Sequence, residues 1–259
     1  MIARPPLLSI ITVVFNGAYY IKGTAQSVLA QTYPHIEYIV VDGGSSDHTL
    51  TAIKNAEAAN EKLLNAKIFR WVSEQDNGLY DAMNKGLRMA TGDFVWFLNA
   101  GDELPTATTV EKIMLQYSPQ TDVFFGETML VTFTRHPLGT RSALTTQKLP
   151  KTLTWESLRM GMVVCHQAFI ARRAIAPNFI ADNLAADIDW VIEVLKKSRQ
   201  TINTELVLAN YLVGGISKQR HRQSLRDRYE VLKKHYGLWP NLWSHLGIVW
   251  RAIFSNIQY

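Results

Sequence analysis

Several aspartates in the first part of the chain stand in short polar clusters that each follow an apolar run. A carboxylate at such a place can accept hydrogen bonds from a ribose hydroxyl or a base N–H, and it can bind Mg²⁺ or Mn²⁺, which prefer hard oxygen ligands. Each one alone could equally cap a helix or form a turn. Their recurrence after successive runs favours one shared site. They are Asp42, Asp47, Asp76, Asp81 and Asp102.

The apolar runs have the length and composition of buried parallel strands. They are Leu7–Phe15, Ile36–Val41, Ile68–Val72 and Phe94–Leu98. Apolar residues at helical spacing between them predict helices over Ala18–Ala30, about 47–59 and about 79–90. This alternation predicts a doubly wound, mostly parallel α/β sheet flanked by helices. Ligands of such sheets bind beyond the carboxyl ends of the strands, where the polar clusters lie.

The second half of the sequence is less regular. Apolar runs on either side of Gly126 predict two strands, a helix begins with Trp190–Leu195, and the polar segment 136–152 reads as a mobile loop. No internal repeat or linker divides this part from the first. The two runs around the glycine are Val123–Phe125 and Met129–Phe133, and two further apolar runs are Ala168–Ile170 and Val207–Leu212.

The bulk composition is that of a globular protein with a full core, since 47% of the 259 residues are hydrophobic. The single cysteine, Cys165, excludes a disulfide within the chain, which fits a reducing cytosol. No run reaches the roughly 18 apolar residues of a membrane-spanning helix. We therefore expect a cytoplasmic protein, or one at the cytoplasmic face of the membrane.

The last part of the chain differs from the rest. Basic residues gather between Lys218 and Lys234, where they could meet phosphate, a lipid head group or nucleic acid, or form a solvated helix face. From Trp239 onward, apolar residues recur at helical spacing. We expect residues 221–259 to form a basic, amphipathic helical tail that packs on its own domain, makes a dimer contact or lies on a membrane surface.

Several common motifs are absent from the sequence. No Gly-x-Gly-x-x-Gly follows the first strand, and neither a Gly-Lys-Ser/Thr phosphate loop nor His-Glu-x-x-His occurs. The segment after the first strand, which begins at Asn16, argues against a sugar-nucleotidyltransferase, since that class has a glycine-rich loop there. Cys165 and His166 are adjacent and so are poorly placed to share a tetrahedral zinc ion.

The ordered series of motifs resembles the inverting family-two glycosyltransferases, which have the GT-A fold. Segments 8–16, 40–49, 73–86 and 97–104 carry the resemblance, which resumes at 165–168, 185–190 and 214–217. The subgroup is similar to bacterial enzymes of exopolysaccharide, colanic acid and O-antigen synthesis. The resemblance implies a GT-A domain over residues 1–220, with a nucleotide-sugar-binding half, 1–105, and an acceptor-binding half, 106–220.

The resemblance also implies a donor site. Asp42 would accept a hydrogen bond from the base, with Ser45 nearby. Asn84 and Lys85, on the helix after the third strand, could face the donor. The last strand-end cluster stands where the family has an acidic metal-binding pair, which here reads Gly101-Asp102, so that Asp102, water and the diphosphate would hold Mn²⁺ or Mg²⁺. The implied nucleotide-sugar-binding residues are Thr12, Asn16, Asp42, Ser45, Asp76, Asn84, Lys85 and Asn99.

A carboxylate aligned with the family's general base would deprotonate the acceptor hydroxyl. Asp187 is the first candidate and Asp189 the second, although both could instead cap a helix. His166, Lys218 and Arg220 would contact the acceptor or the diphosphate. The Gln-x-x-Arg-Trp signature of processive synthases is incomplete, since Gln223 stands at the place of Trp, which favours transfer of one sugar per acceptor.

The resulting expectation is a metal-dependent inverting glycosyltransferase with a UDP-sugar as first candidate donor. Its acceptor would be a glycan or a lipid-linked glycan of cell-surface polysaccharide synthesis. The alternatives are a catalytically inactive nucleotide- or glycan-binding protein and a sugar-nucleotidyltransferase. A nucleic-acid-binding module has only the basic segment in its favour, and the acidic strand ends oppose it electrostatically.

Overall fold

The computed structural model of the protein describes residues 4–214 and 221–239. Two predicted site residues, Lys218 and Arg220, lie outside the described residues, as does the predicted apolar helix from Pro240 onward. Within the described part, the chain forms one eight-stranded sheet with helices on both faces. The predicted mostly parallel α/β sheet flanked by helices is therefore confirmed.

The first half of the chain folds as its apolar runs predict. Strands β1, β2, β3 and β4 are parallel and lie in the order β3-β2-β1-β4. β1 and β2 are buried along their whole length because a neighbouring strand lies on each side of them and helices cover both faces of the sheet. The elements are β1 (Leu8–Val14), α1 (Ala18–Leu29), β2 (Ile36–Asp42), α2 (Thr49–Glu61), β3 (Ile68–Ser73), α3 (Leu79–Met89), β4 (Phe94–Phe97) and α4 (Thr109–Met114).

The second half reverses one strand and then restores the direction. β7 (Phe169–Arg172) is antiparallel to β4, and β5 (Val123–Val131) is antiparallel to β7. β5 therefore runs the same way as β4, and β8 (Thr201–Leu212) is parallel to β5. As a result, the strands of both halves, except β7 and the hairpin strand β6 (Pro137–Thr140), end at one edge of the sheet.

Three expectations for the second half were wrong. The two strands predicted around Gly126 are a single strand, β5, because β8 pairs with it on both sides of that glycine. The segment 136–152 is not simply a loop: it contains β6 and a four-residue helix, α5 (Arg141–Leu144). The helix predicted from Trp190 begins four residues earlier, as α6 (Ala186–Lys197).

The core lies in two layers, one on each face of the sheet. Helices α1, α2 and α4 cover one face, and α3 and α6 cover the other. Under α6, the Trp190 ring stacks on Phe179 at 5.0 Å and meets the edge of Phe97 of β4 at 5.5 Å. Aromatic pairs of this kind contribute about 0.5–1.5 kcal/mol beyond the area that they bury. This cluster fixes α6 against the end of β4.

The segment predicted as a tail begins with helix α7 (His221–Tyr236), which packs on α6. Val231 and Leu232 are buried in the same core as α6. The Lys234 ammonium and the His235 ring both contact the Asp189 carboxylate of α6, each at 2.7 Å. None of the described helices is long and apolar enough to cross a membrane.

Candidate active site at the carboxyl edge of the sheet

The loops that follow β1 and β2 are tied together by side-chain hydrogen bonds. The Ser45 hydroxyl accepts from the Asn16 backbone N–H at 2.7 Å and donates to the Asp42 carboxylate. The Asn16 side-chain oxygen accepts from the Ser46 N–H at 2.9 Å. Asn16 has a φ of +46°, a left-handed conformation that Asn tolerates because its short side chain can bond locally. Three predicted donor-binding residues, Asn16, Asp42 and Ser45, thus meet at one place.

The Asp42 carboxylate is fully buried and organises the loop after β2. It accepts from the Ser45 N–H at 3.0 Å, the Gly44 N–H at 3.2 Å and the Ser73 hydroxyl at 2.6 Å. A buried carboxylate needs such partners, because an unpaired charge is costly away from water. In this structure, Asp42 fixes the backbone around the predicted base site rather than presenting a free carboxylate to it.

Asp76 joins the same corner from the loop after β3. Its Oδ1 accepts from the Gly78 N–H at 2.9 Å, and its Oδ2 lies so close to Gly43 that a Cβ there would collide with it. Beside Gly43, the Phe15 ring is 64% exposed. An exposed ring next to a carboxylate can stack on a base while the carboxylate accepts from ribose hydroxyls.

Two predicted donor-binding side chains, those of Thr12 and Asn84, already hydrogen-bond to other parts of the protein. Thr12 is fully buried: its hydroxyl donates to the Leu98 carbonyl at 2.7 Å, because it lies inside β1 rather than at its end. The buried Asn84 amide donates to the Phe179 carbonyl at 2.9 Å and accepts from the Phe179 N–H at 2.7 Å. In this structure Thr12 and Asn84 support the edge of the sheet from beneath, and their role in donor binding stays a prediction.

Lys85 lies nearer the edge, but its ammonium is also engaged. It donates to the Gln75 carbonyl at 2.7 Å and pairs with Glu74 at 3.1 Å. Its side chain is mostly buried. The contact that Lys85 makes in this structure holds the loop that carries Asp76.

A second group of predicted residues meets where β4, the Cys165–Ala168 turn and α6 approach each other. The Asn99 amide nitrogen lies 3.3 Å from His166 Nε2, and His166 Nδ1 lies 3.8 Å from Asp187 Oδ2. Burial lowers the pKa of His166, and the nearby Asp187 charge opposes that shift. A donor amide at Nε2 is consistent with a neutral ring whose Nδ1–H faces Asp187. Among the described residues, the buried Asn99 Oδ1 has no hydrogen-bond partner.

Asp102 is buried beside this group. Its Oδ2 accepts from the Gln167 amide at 3.1 Å, and its Oδ1 accepts from the Leu212 N–H at 3.1 Å. Burial raises the pKa of Asp102 to about 7, against the lowering effect of these hydrogen bonds. The Asp102 carboxylate and the Asn99 side-chain oxygen, three residues apart in one loop, are both hard oxygen ligands of the kind that Mg²⁺ and Mn²⁺ prefer. The residues present thus fit the cation that the resemblance implies.

The structure separates the two candidate bases. The Asp187 side chain is 26% exposed and lies next to His166, whereas the Asp189 side chain is 6% exposed and holds α7. Burial would raise the pKa of Asp189, but the hydrogen bonds from His235 and Lys234 more than offset this and lower it. Residues two apart on a helix point in nearly opposite directions, so only one of the pair can face the site.

Asp189, Glu193 and His235 also bring three potential metal-ligand atoms within 4.8 Å of one another, the one such group in the described part of the chain. The Lys234 ammonium already lies 2.7 Å from Asp189 and 3.8 Å from Glu193. An ammonium therefore supplies the positive charge of this cluster, which joins α7 to α6.

Two residues of the site escaped the sequence interpretation. Gln167 binds the Asp102 carboxylate, and its place directly after His166 was the signal that could have found it. Arg135 binds the loop that carries Asp102, with its guanidinium 2.6 Å from the Gly101 carbonyl. No motif surrounds Arg135, and its contact spans a long stretch of sequence.

A mostly parallel sheet whose carboxyl edge gathers carboxylates, an amide and a histidine defines an α/β protein with its ligand site at the strand ends. The sequence model described as Glycosyl transferase family 2 matches residues 9–177. The chain belongs to this family of glycosyltransferases, as the resemblance implied.

Curated relatives agree with this assignment. The chain is 31% identical over 223 residues to a PGL/p-HBAD biosynthesis glycosyltransferase of Mycobacterium bovis, covering 82% of this chain and 79% of that protein. It is 28% identical over 214 residues to TuaG of Bacillus subtilis, a putative teichuronic acid biosynthesis glycosyltransferase, covering 80% and 79%. A match to an uncharacterised glycosyltransferase of Mycobacterium tuberculosis, 41% identical over 98 residues, covers 38% of this chain and spans only 34% of that relative.

Solved structures share the fold. TarS 1–349 of S. aureus in complex with UDP-GlcNAc has a TM-score of 0.69 at 16% identity, covering 96% of this chain and 73% of that one. The mannosyltransferase PcManGT of Pyrobaculum calidifontis in complex with GDP-Man and Mn²⁺ has a TM-score of 0.65 at 16% identity, covering 98% and 77%. The predicted GT-A fold is confirmed by this likeness, which at such identities concerns the fold alone.

Proposed function

We propose that the protein is a metal-dependent inverting glycosyltransferase that moves one sugar from a nucleoside-diphosphate sugar, UDP-linked in the first instance, to a glycan or lipid-linked acceptor. The observation that carries this is the meeting of Asp187, His166, Asn99 and Asp102 at the carboxyl edge, next to the corner formed by Asn16, Asp42, Ser45 and Asp76. The names of the M. bovis and B. subtilis relatives favour a role in cell-surface glycan synthesis.

In this proposal the two groups of residues have separate tasks. The corner of Phe15, Asn16 and Asp76 receives the base and ribose, and Asp42 and Ser45 hold its backbone in place. Asp102 and Asn99 would hold Mn²⁺ or Mg²⁺, which would neutralise charge on the leaving diphosphate.

Asp187 acts as the general base. The acceptor oxygen forms a bond to the anomeric carbon, the bond from that carbon to the diphosphate oxygen breaks, and its electron pair leaves with the diphosphate. The hydroxyl proton passes to the Asp187 carboxylate. Neutral His166, with its Nδ1–H towards Asp187, stabilises the carboxylate without competing for the proton. Attack from the face opposite the leaving group inverts the anomeric centre.

The first experiment is thermal unfolding with UDP, GDP, dTDP and CMP, each with and without Mn²⁺. A ligand at about a hundred times its dissociation constant stabilises by about 2.7 kcal/mol. A shift with one nucleoside diphosphate that requires Mn²⁺ supports the proposal and identifies the donor class. A shift that does not require metal, or none at all, contradicts it and favours an inactive or degenerate protein.

Asp187→Asn and Asp189→Asn form a matched pair of variants one helical half-turn apart. For Asp187→Asn, we expect release of nucleoside diphosphate in the presence of a membrane extract as acceptor source to fall by about 10²–10⁴-fold, with the Mn²⁺-dependent shift kept. Asp189→Asn should lower the stability of the α6–α7 contact and keep turnover in the folded fraction. Equal turnover of Asp187→Asn and the wild type would exclude Asp187 as the base.

We also propose that residues 221–259 contact the surface of an anionic membrane. The support is the basic sequence of α7 and the tryptophan-rich sequence that follows it. Deletion of 239–259 leaves every described contact of α7 up to Tyr236 in place. We expect this deletion to reduce co-sedimentation with anionic vesicles and to spare nucleotide binding, and unchanged sedimentation would contradict the proposal.

A further inference from the structure

The tip of the β5–β6 hairpin lies over the loop that carries Asp102. Backbone hydrogen bonds of 2.9 Å between Thr132 and His136, and between Arg135 and Thr132, close the turn. Arg135 has a φ of +64°, an unfavourable conformation for a long side chain. Such a conformation persists only where its surroundings impose it, and here the surroundings are the groups that the Arg135 side chain contacts.

The Arg135 guanidinium contacts the residues directly before and after Asp102 in the chain. One of its terminal nitrogens donates to the Gly101 carbonyl at 2.6 Å, and the other pairs with Glu103 Oε1 at 3.0 Å. The planar fork of arginine suits two acceptors held at a fixed spacing, which the point charge of lysine cannot match. Arg135 thereby holds the Gly101 backbone before Asp102 and the Glu103 side chain after it, without a hydrogen bond to the Asp102 carboxylate.

Two residues of α1 accommodate and support these contacts of Arg135. Gly23 faces Glu103, and a Cβ there would collide with Glu103 Oε1. The Phe133 ring stacks on Tyr19 at 4.9 Å with an interplanar angle of 9°, which fastens the hairpin tip to the first turn of α1. The hairpin tip, α1 and the Asp102 loop therefore form one connected unit.

We propose that Arg135 is a positioning residue, which holds Gly101–Glu103 so that the Asp102 carboxylate keeps its orientation for the cation and diphosphate. The part that concerns the cation rests on the proposed function, whereas the part that concerns the loop does not. Removal of the Arg135 contacts should make the 101–103 loop more mobile while the contacts of Asp102 to Gln167 and Leu212 remain. Donor affinity suffers more than the rate at saturation, since Arg135 contacts no reacting atom.

Three variants isolate this role. Arg135→Asn removes the reach of the side chain and keeps a residue type that tolerates a left-handed backbone. Arg135→Lys can satisfy one acceptor and should give a partial rescue. Arg70→Ala is the matched control, because the Arg70 guanidinium likewise bridges a carbonyl, of Met89 at 2.7 Å, and a carboxylate, of Glu37 at 3.1 Å, at the amino-terminal half of β3.

The first readout is amide hydrogen exchange over residues 99–104 of the full chain without ligand. These amides are bonded in part to other elements, as from Gly101 to Thr24 and from Leu104 to Ser27. We expect exchange about tenfold faster or more in Arg135→Asn, an intermediate rate in Arg135→Lys, and the wild-type rate in Arg70→Ala. The wild-type rate in Arg135→Asn would overturn the proposal.

The second readout is the free Mn²⁺ signal in electron paramagnetic resonance during titration with Mn²⁺ in the presence of UDP, and separately of GDP. We expect affinity about tenfold weaker in Arg135→Asn and unchanged in Arg70→Ala. Unchanged affinity in Arg135→Asn overturns the proposal. If the wild type itself binds no Mn²⁺ with either nucleotide, the metal-dependent function fails, and hydrogen exchange alone decides whether Arg135 positions the loop.

Discussion

Replacing Asp102 with asparagine should stabilise the ligand-free protein, and the gain should grow with pH. Burial raises the pKa of Asp102 to about 7 from an ordinary value of 3.8. The folded protein therefore binds this proton more tightly than the unfolded chain does. Between these two values the unfolded chain loses the proton first, so the stability of the wild type falls as pH rises and its loss is complete above about pH 7.

The size of the effect follows from the same two pKa values. A difference of about three units corresponds to about 4 kcal/mol when both states are ionised. At pH 5, which is slightly more than one unit above the ordinary pKa, the wild type has lost only the part of this stability that corresponds to that interval. The advantage of Asp102→Asn over the wild type should therefore increase by about 2–3 kcal/mol between pH 5 and pH 8. The asparagine can still accept from the Leu212 N–H, and the Gln167 amide can turn over to accept from it.

Urea unfolding of both proteins at pH 5 and pH 8 measures this difference directly. A gain that stays constant between the two pH values, or a variant less stable than the wild type at pH 8, would refute the reasoning from burial. Mn²⁺ with the nucleotide that binds should then stabilise the wild type at pH 8 and not Asp102→Asn. That last comparison tests the proposed cation site rather than the burial of the carboxylate.

Three further substitutions probe the supports of the site by urea unfolding. Gly23→Ala should stabilise α1 by up to about 1 kcal/mol through helix propensity, and displacement of Glu103 by the new methyl group should cost a similar amount. We therefore expect little change in the free energy of unfolding and faster amide hydrogen exchange over residues 99–104. Asn84→Ala should cost about 2–4 kcal/mol, because the N–H and carbonyl of Phe179 lose their buried partner. Glu37→Ala should cost about 3–5 kcal/mol, because this buried carboxylate joins β1, β3 and the turn before β4.

Each of these has its own contradictory outcome. Amide exchange of residues 99–104 at the wild-type rate in Gly23→Ala would mean that Glu103 moves without disturbing the loop. A cost below 1 kcal/mol for Asn84→Ala would mean that water replaces the lost amide. Burial opposes ionisation of Glu37, but hydrogen bonds from Ser9 and Thr91 outweigh it and lower the pKa, so its stabilisation is lost as pH falls through that lowered value. Nucleotide binding by folded Glu37→Ala should match the wild type, since Glu37 lies at the amino-terminal half of β2.

The first half of the fold was predictable because each strand is a local apolar run with a helix after it. Asn16, Asp42, Ser45 and Asp76 meet because they follow parallel strands, a rule that needs no tertiary information. The sequence did not show that Thr12 lies inside its strand, two residues before the end of β1, with its hydroxyl bonded to the Leu98 carbonyl. In the second half, β5 depends on pairing with distant strands, which its own sequence does not encode.

The choice between Asp187 and Asp189 also needed the structure. Both belong to one turn of α6, and only the position of α7 shows which carboxylate is already engaged. Arg135 could not have been found at all, because its partners Gly101 and Glu103 lie more than 30 residues away and an arginine with a left-handed backbone has no sequence signature.

The aromatic cluster of Phe97, Phe179 and Trp190 has a consequence for how such proteins diversify. It joins the end of β4, which leads to Asp102, to the helix that begins beside Asp187. A close-packed core resists changes of volume, so these rings hold the spacing between the two elements that carry the carboxylates. The loops after β1, β2 and β3 contribute no ring to this cluster. Under the proposed function, mutations in those loops could alter which donor is accepted while the distance between the leaving group and Asp187 is preserved.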